Sequence, residues 1–182
     1  MVPETIVLVG DSAGGNLVCA LTLMAIERGF RVPDGLIMAY PALALNKVTF
    51  TPSLLFSIDD PLLPYQFLTL CQNSYIGDIS NHPQCDPVHQ YYLSPAAAPD
   101  HLLAKLPKTR IMIGSNDPLR DESFKFTLQL AKLGVDVALR EYMYMPHGFL
   151  NFNSPLLGLK QEANETINQC ATWMKDFIYR LE

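Results

Sequence analysis

The 182-residue sequence predicts an α/β fold, with a mostly parallel sheet flanked by helices. Three observations carry this expectation. Short apolar runs of strand length recur at Thr5 to Val9 (TIVLV), Gly35 to Tyr40 (GLIMAY) and Thr109 to Ile113 (TRIMI), longer helical patterns stand between them, and turn residues mark each change. Strand then helix, repeated, is what a parallel sheet with helical crossovers requires.

The elements follow in order. Thr5 to Val9 is β-branched and bulky without alternation, as in a strand covered on both faces. Ala13 to Arg28 is apolar nearly all round and ends at Gly29, which predicts a helix buried against the sheet and closed by a glycine cap. Gly35 to Tyr40 is the second buried strand. The stretch from about 41 to 107 is long and dotted with proline, with one helix near Pro61 to Tyr75, and such a length in a compact domain marks a functional excursion over the sheet. Thr109 to Ile113 is the third strand. Glu122 to Leu133 sets Phe126, Leu130 and Leu133 on one helical stripe before Gly134. Asp136 to Tyr142 alternates, as a strand nearer the sheet edge would, and Lys160 to Leu181 is a last helix with Ala163, Ile167, Cys170, Met174, Phe177 and Leu181 on its apolar face.

Composition narrows the function. The apolar fraction of 49% suits a globular domain, and a net charge of -5 with a pI near 5.3 leaves no basic surface for a phosphate backbone, so nucleic acid is excluded as a partner. The opening stretch is too short and too acidic for a secretory signal, and no stretch approaches a membrane span of roughly 20 apolar residues. Cys19, Cys71, Cys85 and Cys170 match no metal or redox spacing and read as reduced thiols. The sequon at Asn164 lies inside a helical pattern with no export signal, and is read as unused.

Gly10-Asp11-Ser12-Ala13-Gly14 is G-x-S-x-G, directly after a strand and directly before a helix. A nucleophile on that tight turn stands above the sheet, and its neighbours need to be small for the chain to close. The helix start aims free N–H groups at the same spot, with the Ala13 N–H as the expected oxyanion donor. A phosphate-binding turn is the competing reading, but neither a P-loop lysine nor G-x-G-x-x-G spacing is present. Serine is a poor nucleophile alone, so the motif calls for a histidine and a carboxylate later in the chain. Asp117 lies in the turn Gly114 to Asp121 after the third strand, with Asp121, the more natural helix cap, as the alternative acid. His147, in Met145-Pro146-His147-Gly148-Phe149 after the fourth strand, completes the order Ser, Asp, His. His82, His89 and His101 fall in the excursion with no strand to place them, and read as surface or capping residues.

GDSAGGN (Gly10 to Asn16), VPDG and YPA (Val32 to Ala42), DPLRDE (Asp117 to Glu122) and PHGF (Pro146 to Phe149) together resemble the hormone-sensitive lipase family of α/β-hydrolases over almost the whole chain. The stretch Arg31 to Pro64, ending in DDPLLP, is similar to the lipase that gives the family its name rather than only to its bacterial esterases. The resemblance implies an α/β-hydrolase fold and ester hydrolysis through an acyl-enzyme. It also implies Ser12 as nucleophile, His147 as base and then acid, Asp117 orienting the imidazole, and acylglycerols or cholesteryl esters as substrates. The family's H-G-G-G loop, which precedes the nucleophile and completes the oxyanion hole, is not found in this sequence. The expectation is therefore that residues 1–182 form the carboxyl-terminal portion of one catalytic domain, with the amino-terminal strands and cap missing. The nucleophile strand would then lie at an apolar sheet edge. The mammalian enzyme's long regulatory insertion has no counterpart in 41–107, so that mode of control is not expected.

No metal or organic cofactor is called for, since a triad and a helix dipole suffice for acyl transfer. A small-molecule or lipid ester is the expected partner, the cytoplasm, with lipid-droplet association, the expected location, and oligomeric state is open. Two other readings stand beside the hydrolase: a non-catalytic ligand-binding protein on the same scaffold, against which the intact His147 argues, and an inactive truncated fragment.

Overall fold

A computed structural model describes residues 4–45, 50–77, 87–152 and 160–179. The strands are β1 (Val7–Asp11), β2 (Gly35–Ala39), β3 (Lys108–Gly114) and β4 (Val137–Tyr142). They form one parallel sheet in the order β1-β2-β3-β4, with Asp11 beside Ala39, Ala39 beside Met112 and Gly114 beside Tyr142. The helices are α1 (Ala13–Arg28), α2 (Pro52–Phe56), α3 (Tyr65–Ile76), α4 (Asp100–Leu103), α5 (Arg120–Lys132) and α6 (Lys160–Tyr179), with 3₁₀ turns at Pro87–Tyr92, Pro95–Ala97 and Phe149–Phe152.

Successive side chains of a strand point to opposite faces, and here both faces are covered. Leu36, Met38, Ile111 and Ile113 pack with Leu23 of α1, Leu103 of α4, and Phe126 and Leu130 of α5. Ile37, Ala39 and Met112 face the other way, onto Tyr142, Phe149 and Phe177 of α6. The α6 contact is close: a Cβ on Gly35 would lie 2.4 Å from the Phe177 ring. α1 and α5 thus share one layer and α6 makes the other, the arrangement expected from strand–helix alternation.

Three sequence expectations shift. The first strand lies two residues further on than Thr5 to Val9, because Gly10 and Asp11 join the ladder opposite Met38 and Ala39. It is also only partly covered, since β1 ends the sheet among the described residues. α1 is buried against the sheet and closed by Gly29 at φ 68°, as expected, while Leu17 and Leu21 on its other face are 55% and 54% exposed. The excursion holds α2 and α4 as well as α3, pieces too short to show periodicity. Thr51 caps α2 by accepting the Leu54 N–H at 3.3 Å. His82, Cys85 and Leu181 lie outside the described residues, and no helix among those described is long and apolar enough to cross a membrane.

Candidate active site

Each strand delivers one residue to the same end of the sheet. Ser12 follows β1, Tyr40 follows β2, Asp117 stands three residues past β3, and His147 lies in the loop after β4. The carboxyl end of a parallel sheet is where ligands bind in open α/β folds.

Ser12 has φ 51° and ψ -117°, a strained conformation for a residue with a side chain, held by its N–H to the Ala39 carbonyl at 2.9 Å and by its carbonyl accepting from Asn16 and Ala42. The space that closes this turn is made by Gly10, where a Cβ would sit 2.3 Å from the Gly14 carbonyl oxygen, and by Gly15, where it would sit 2.7 Å from the Pro41 Cβ. Gly14, the second glycine of G-x-S-x-G, does not share this role: a Cβ there meets nothing nearer than the Asp11 carboxylate at 3.8 Å.

The loops that carry Asp117 and His147 are laced together. Ser115 donates its N–H to the Tyr142 carbonyl at 2.9 Å, Asn116 donates to the Met145 carbonyl at 3.1 Å, and the Ser115 hydroxyl accepts the Tyr144 N–H at 2.7 Å. Gly114 permits the approach, since a Cβ would stand 2.1 Å from the Met145 carbonyl oxygen. Asp117, fully buried, accepts the Leu119 N–H through Oδ1 at 2.8 Å and faces His147 Nδ1 through Oδ2 at 2.9 Å. A carboxylate can only accept, so this geometry suits the tautomer with its proton on Nδ1 and its Nε2 lone pair toward Ser12. The Ser12 Oγ to His147 Nε2 distance is 2.8 Å.

Asp121, the alternative acid, is engaged elsewhere. Its oxygens take Arg120 and the Ser53 N–H, both at 2.9 Å, so it joins α2 to α5. Nor does it cap α5: Leu119 stands at the cap, and Asp121 and Glu122 occupy the first turn, where acidic residues complement the helix dipole. Burial pushes the Glu122 carboxyl up to about 7, against the pull of Lys125 and with a further rise from the Asp117 carboxylate. Ala13 opens α1, so its N–H has no intrahelical acceptor, and the residue lines the cavity beside Ser12.

That cavity, of about 460 Å³, runs from Ser12 and His147 along α3, with Leu63, Phe67, Leu68, Cys71 and Tyr75 on its wall. Asn16, also at its edge, ties α1 to the excursion by donating to the Ala42 carbonyl at 2.7 Å and the Leu93 carbonyl at 2.9 Å. Sequence reasoning gave no role to Asn16, Tyr40 or the α3 residues. The first two stood in GDSAGGN and YPA, but their partners are remote in the chain. Among the described residues no cluster of His, Cys, Asp and Glu could hold a metal ion.

A profile described as "alpha/beta hydrolase fold" matches residues 1–151. The chain belongs to that family. Within it, this α/β-hydrolase stands with the hormone-sensitive lipase group. It is 48% identical over 84 residues to hormone-sensitive lipase of Ictidomys tridecemlineatus, a match covering 46% of this chain and 11% of that one. It is 30% identical over 152 residues to carboxylesterase NlhH of Mycobacterium tuberculosis, covering 82% of this chain and 45% of that enzyme. A solved hormone-sensitive lipase from a metagenome library superposes with a TM-score of 0.79 at 27% identity, over 94% of this chain and 54% of that one. The chain spans about half the length of its full-length esterase relatives, and far less of the lipase.

Proposed function

We propose that this α/β-hydrolase carries the catalytic machinery of a serine carboxylic-ester hydrolase, as the carboxyl-terminal portion of one catalytic domain. The observation that carries the reading is the unbroken line from Ser12 Oγ to His147 Nε2 at 2.8 Å and from His147 Nδ1 to Asp117 Oδ2 at 2.9 Å, at the mouth of an apolar cavity. His147 takes the Ser12 proton as Oγ attacks the ester carbonyl carbon, while the Ala13 N–H and the positive end of α1 receive the oxyanion. The tetrahedral adduct collapses, His147 returns the proton to the leaving alcohol, and Ser12 holds the acyl group. Water, deprotonated by His147, then attacks the acyl-enzyme, and as the second adduct collapses His147 returns that proton to Ser12 Oγ and the acid is released. Asp117 fixes the tautomer and balances the imidazolium charge. The relatives named as lipase and carboxylesterase support this class of reaction.

The substrate in this reading is an ester with an apolar acyl or alcohol chain, of the acylglycerol or cholesteryl ester type, met in the cytoplasm or at a lipid droplet. The support is the wall of Leu63, Phe67 and Leu68, together with the likeness to hormone-sensitive lipase. A p-nitrophenyl ester series tests it. Each methylene added from acetate to hexanoate raises kcat/KM by up to about fourfold, the worth of about 0.8 kcal/mol of burial. A flat series contradicts the apolar subsite, and turnover that survives in Ser12→Ala contradicts the mechanism.

A further inference from the structure

The four described strands each end at the site, and the mechanism uses the residues after three of them. The fourth is Tyr40. It is 1% exposed, yet it holds φ 37°, in the left-handed region where a bulky side chain is strained by about 1–3 kcal/mol. Glycine would take that conformation without cost. A large ring kept in such a place is there for what the ring touches.

It touches His147. The two ring centroids are 4.9 Å apart with their planes at 61°, an edge-to-face contact, and Tyr40 also meets Phe149 at 5.5 Å and 63°. Phe149 is itself fully buried and packs on Tyr142, so the support is continuous with the core. The backbone N–H of Tyr40 donates to the Met112 carbonyl at 2.6 Å, and its hydroxyl donates to Asp11 Oδ2 at 3.3 Å, beside the nucleophile. The imidazole needs such a support. Hydrogen bonds at Nδ1 and Nε2 fix its position along the line between the two nitrogens, but they resist tilting about that line weakly. A contact on the ring supplies the missing restraint.

We propose that Tyr40 is a positioning residue, which holds the His147 imidazole in line between Asp117 and Ser12. The proposal rests on the reading of those three residues as a triad. The ring performs the role and the hydroxyl does not, so Tyr40→Phe retains it. Tyr40→Leu keeps an apolar side chain at the position without an aromatic face, and Tyr40→Gly accepts the backbone conformation while removing the ring.

The test compares these variants of the full chain at equal folded fraction. Misplacing a catalytic group by about 1 Å costs on the order of 100-fold in rate. Tyr40→Leu and Tyr40→Gly therefore lower kcat by about 10- to 100-fold, and Tyr40→Phe stays close to the parent. In parallel, ¹⁵N-histidine NMR reads the Nδ1 proton of His147, one of four histidines in the chain. That signal persists in Tyr40→Phe and is broadened or lost in Tyr40→Leu and Tyr40→Gly. Parent-like kcat and a parent-like Nδ1 signal in Tyr40→Leu overturn the proposal, as does damage in Tyr40→Phe equal to that in Tyr40→Leu. If no form turns over ester, the NMR result alone decides the positioning role, and the hydrolase reading fails separately.

Discussion

Asp117→Asn lowers the kcat of ester hydrolysis by about 10⁴-fold, whereas Asp121→Asn leaves it within a small factor of the parent. The two residues are four apart in one turn, and the contrast comes from their partners. Asp117 offers His147 Nδ1 an acceptor at 2.9 Å while its other oxygen is held by the Leu119 N–H. An amide can turn its NH₂ toward Nδ1, which moves the ring proton to Nε2 and takes away the lone pair that faces Ser12. Asp121 holds Arg120 and Ser53 instead. Its loss loosens the link between α2 and α5, seen as a fall in Tm of about 2–4 °C, the equivalent of roughly 1 kcal/mol in a chain of this size. Steady-state kinetics and thermal melts on the two variants check both halves. Equal losses of kcat would show that the acid is not chosen by this geometry.

Gly10→Ala costs about 3 kcal/mol, while Gly14→Ala costs nothing, although both glycines belong to G-x-S-x-G. At Gly10 a Cβ would stand 2.3 Å from a backbone carbonyl oxygen, and neither the strand nor the helix start can give way without moving Ser12. At Gly14 the nearest atom is 3.8 Å away and the backbone is helical, so alanine gains up to about 1 kcal/mol of helix propensity. Circular dichroism melts should place Gly10→Ala about 6–12 °C below the parent and Gly14→Ala at or slightly above it. Gly10→Ala also loses turnover out of proportion to its folded fraction, because the strained Ser12 conformation depends on that close approach. A destabilised Gly14→Ala would mean that the elbow is closed by something other than backbone contact.

The parts of the fold legible in the sequence were those set by local pattern. β2 and β3 are buried on both faces, so continuous apolar runs reveal them, and Gly29 and Gly134 punctuate the helices as their positive φ requires. That Ser12, Asp117 and His147 meet was legible because each follows a strand, and parallel strands bring their carboxyl ends together. What local pattern does not carry was harder to read. The exposed side of α1 looks as apolar as the buried side, since no residue records which face the sheet will take. Composition cannot tell that the close approach falls on Gly10 and Gly15 rather than Gly14, because the obstructing atoms belong to Gly14 itself and to Pro41. Tyr40 reads as the last residue of a strand, and only the turn after Ala39 gives it a left-handed conformation and His147 as a neighbour. The α3 wall of the cavity was visible as a helix, but its facing was not.

The central claim is that Ser12 is a nucleophile activated by His147, and a fluorophosphonate probe tests it most directly. The purified chain is incubated with the probe and the adduct mapped by peptide mass spectrometry, beside Ser12→Ala and His147→Ala. The account predicts one phosphonylated residue, Ser12, with no adduct in the first variant and labelling slowed to the level of an unactivated serine in the second. An adduct elsewhere, labelling at Ser12 indifferent to His147, or a folded and soluble chain that takes no probe would contradict it.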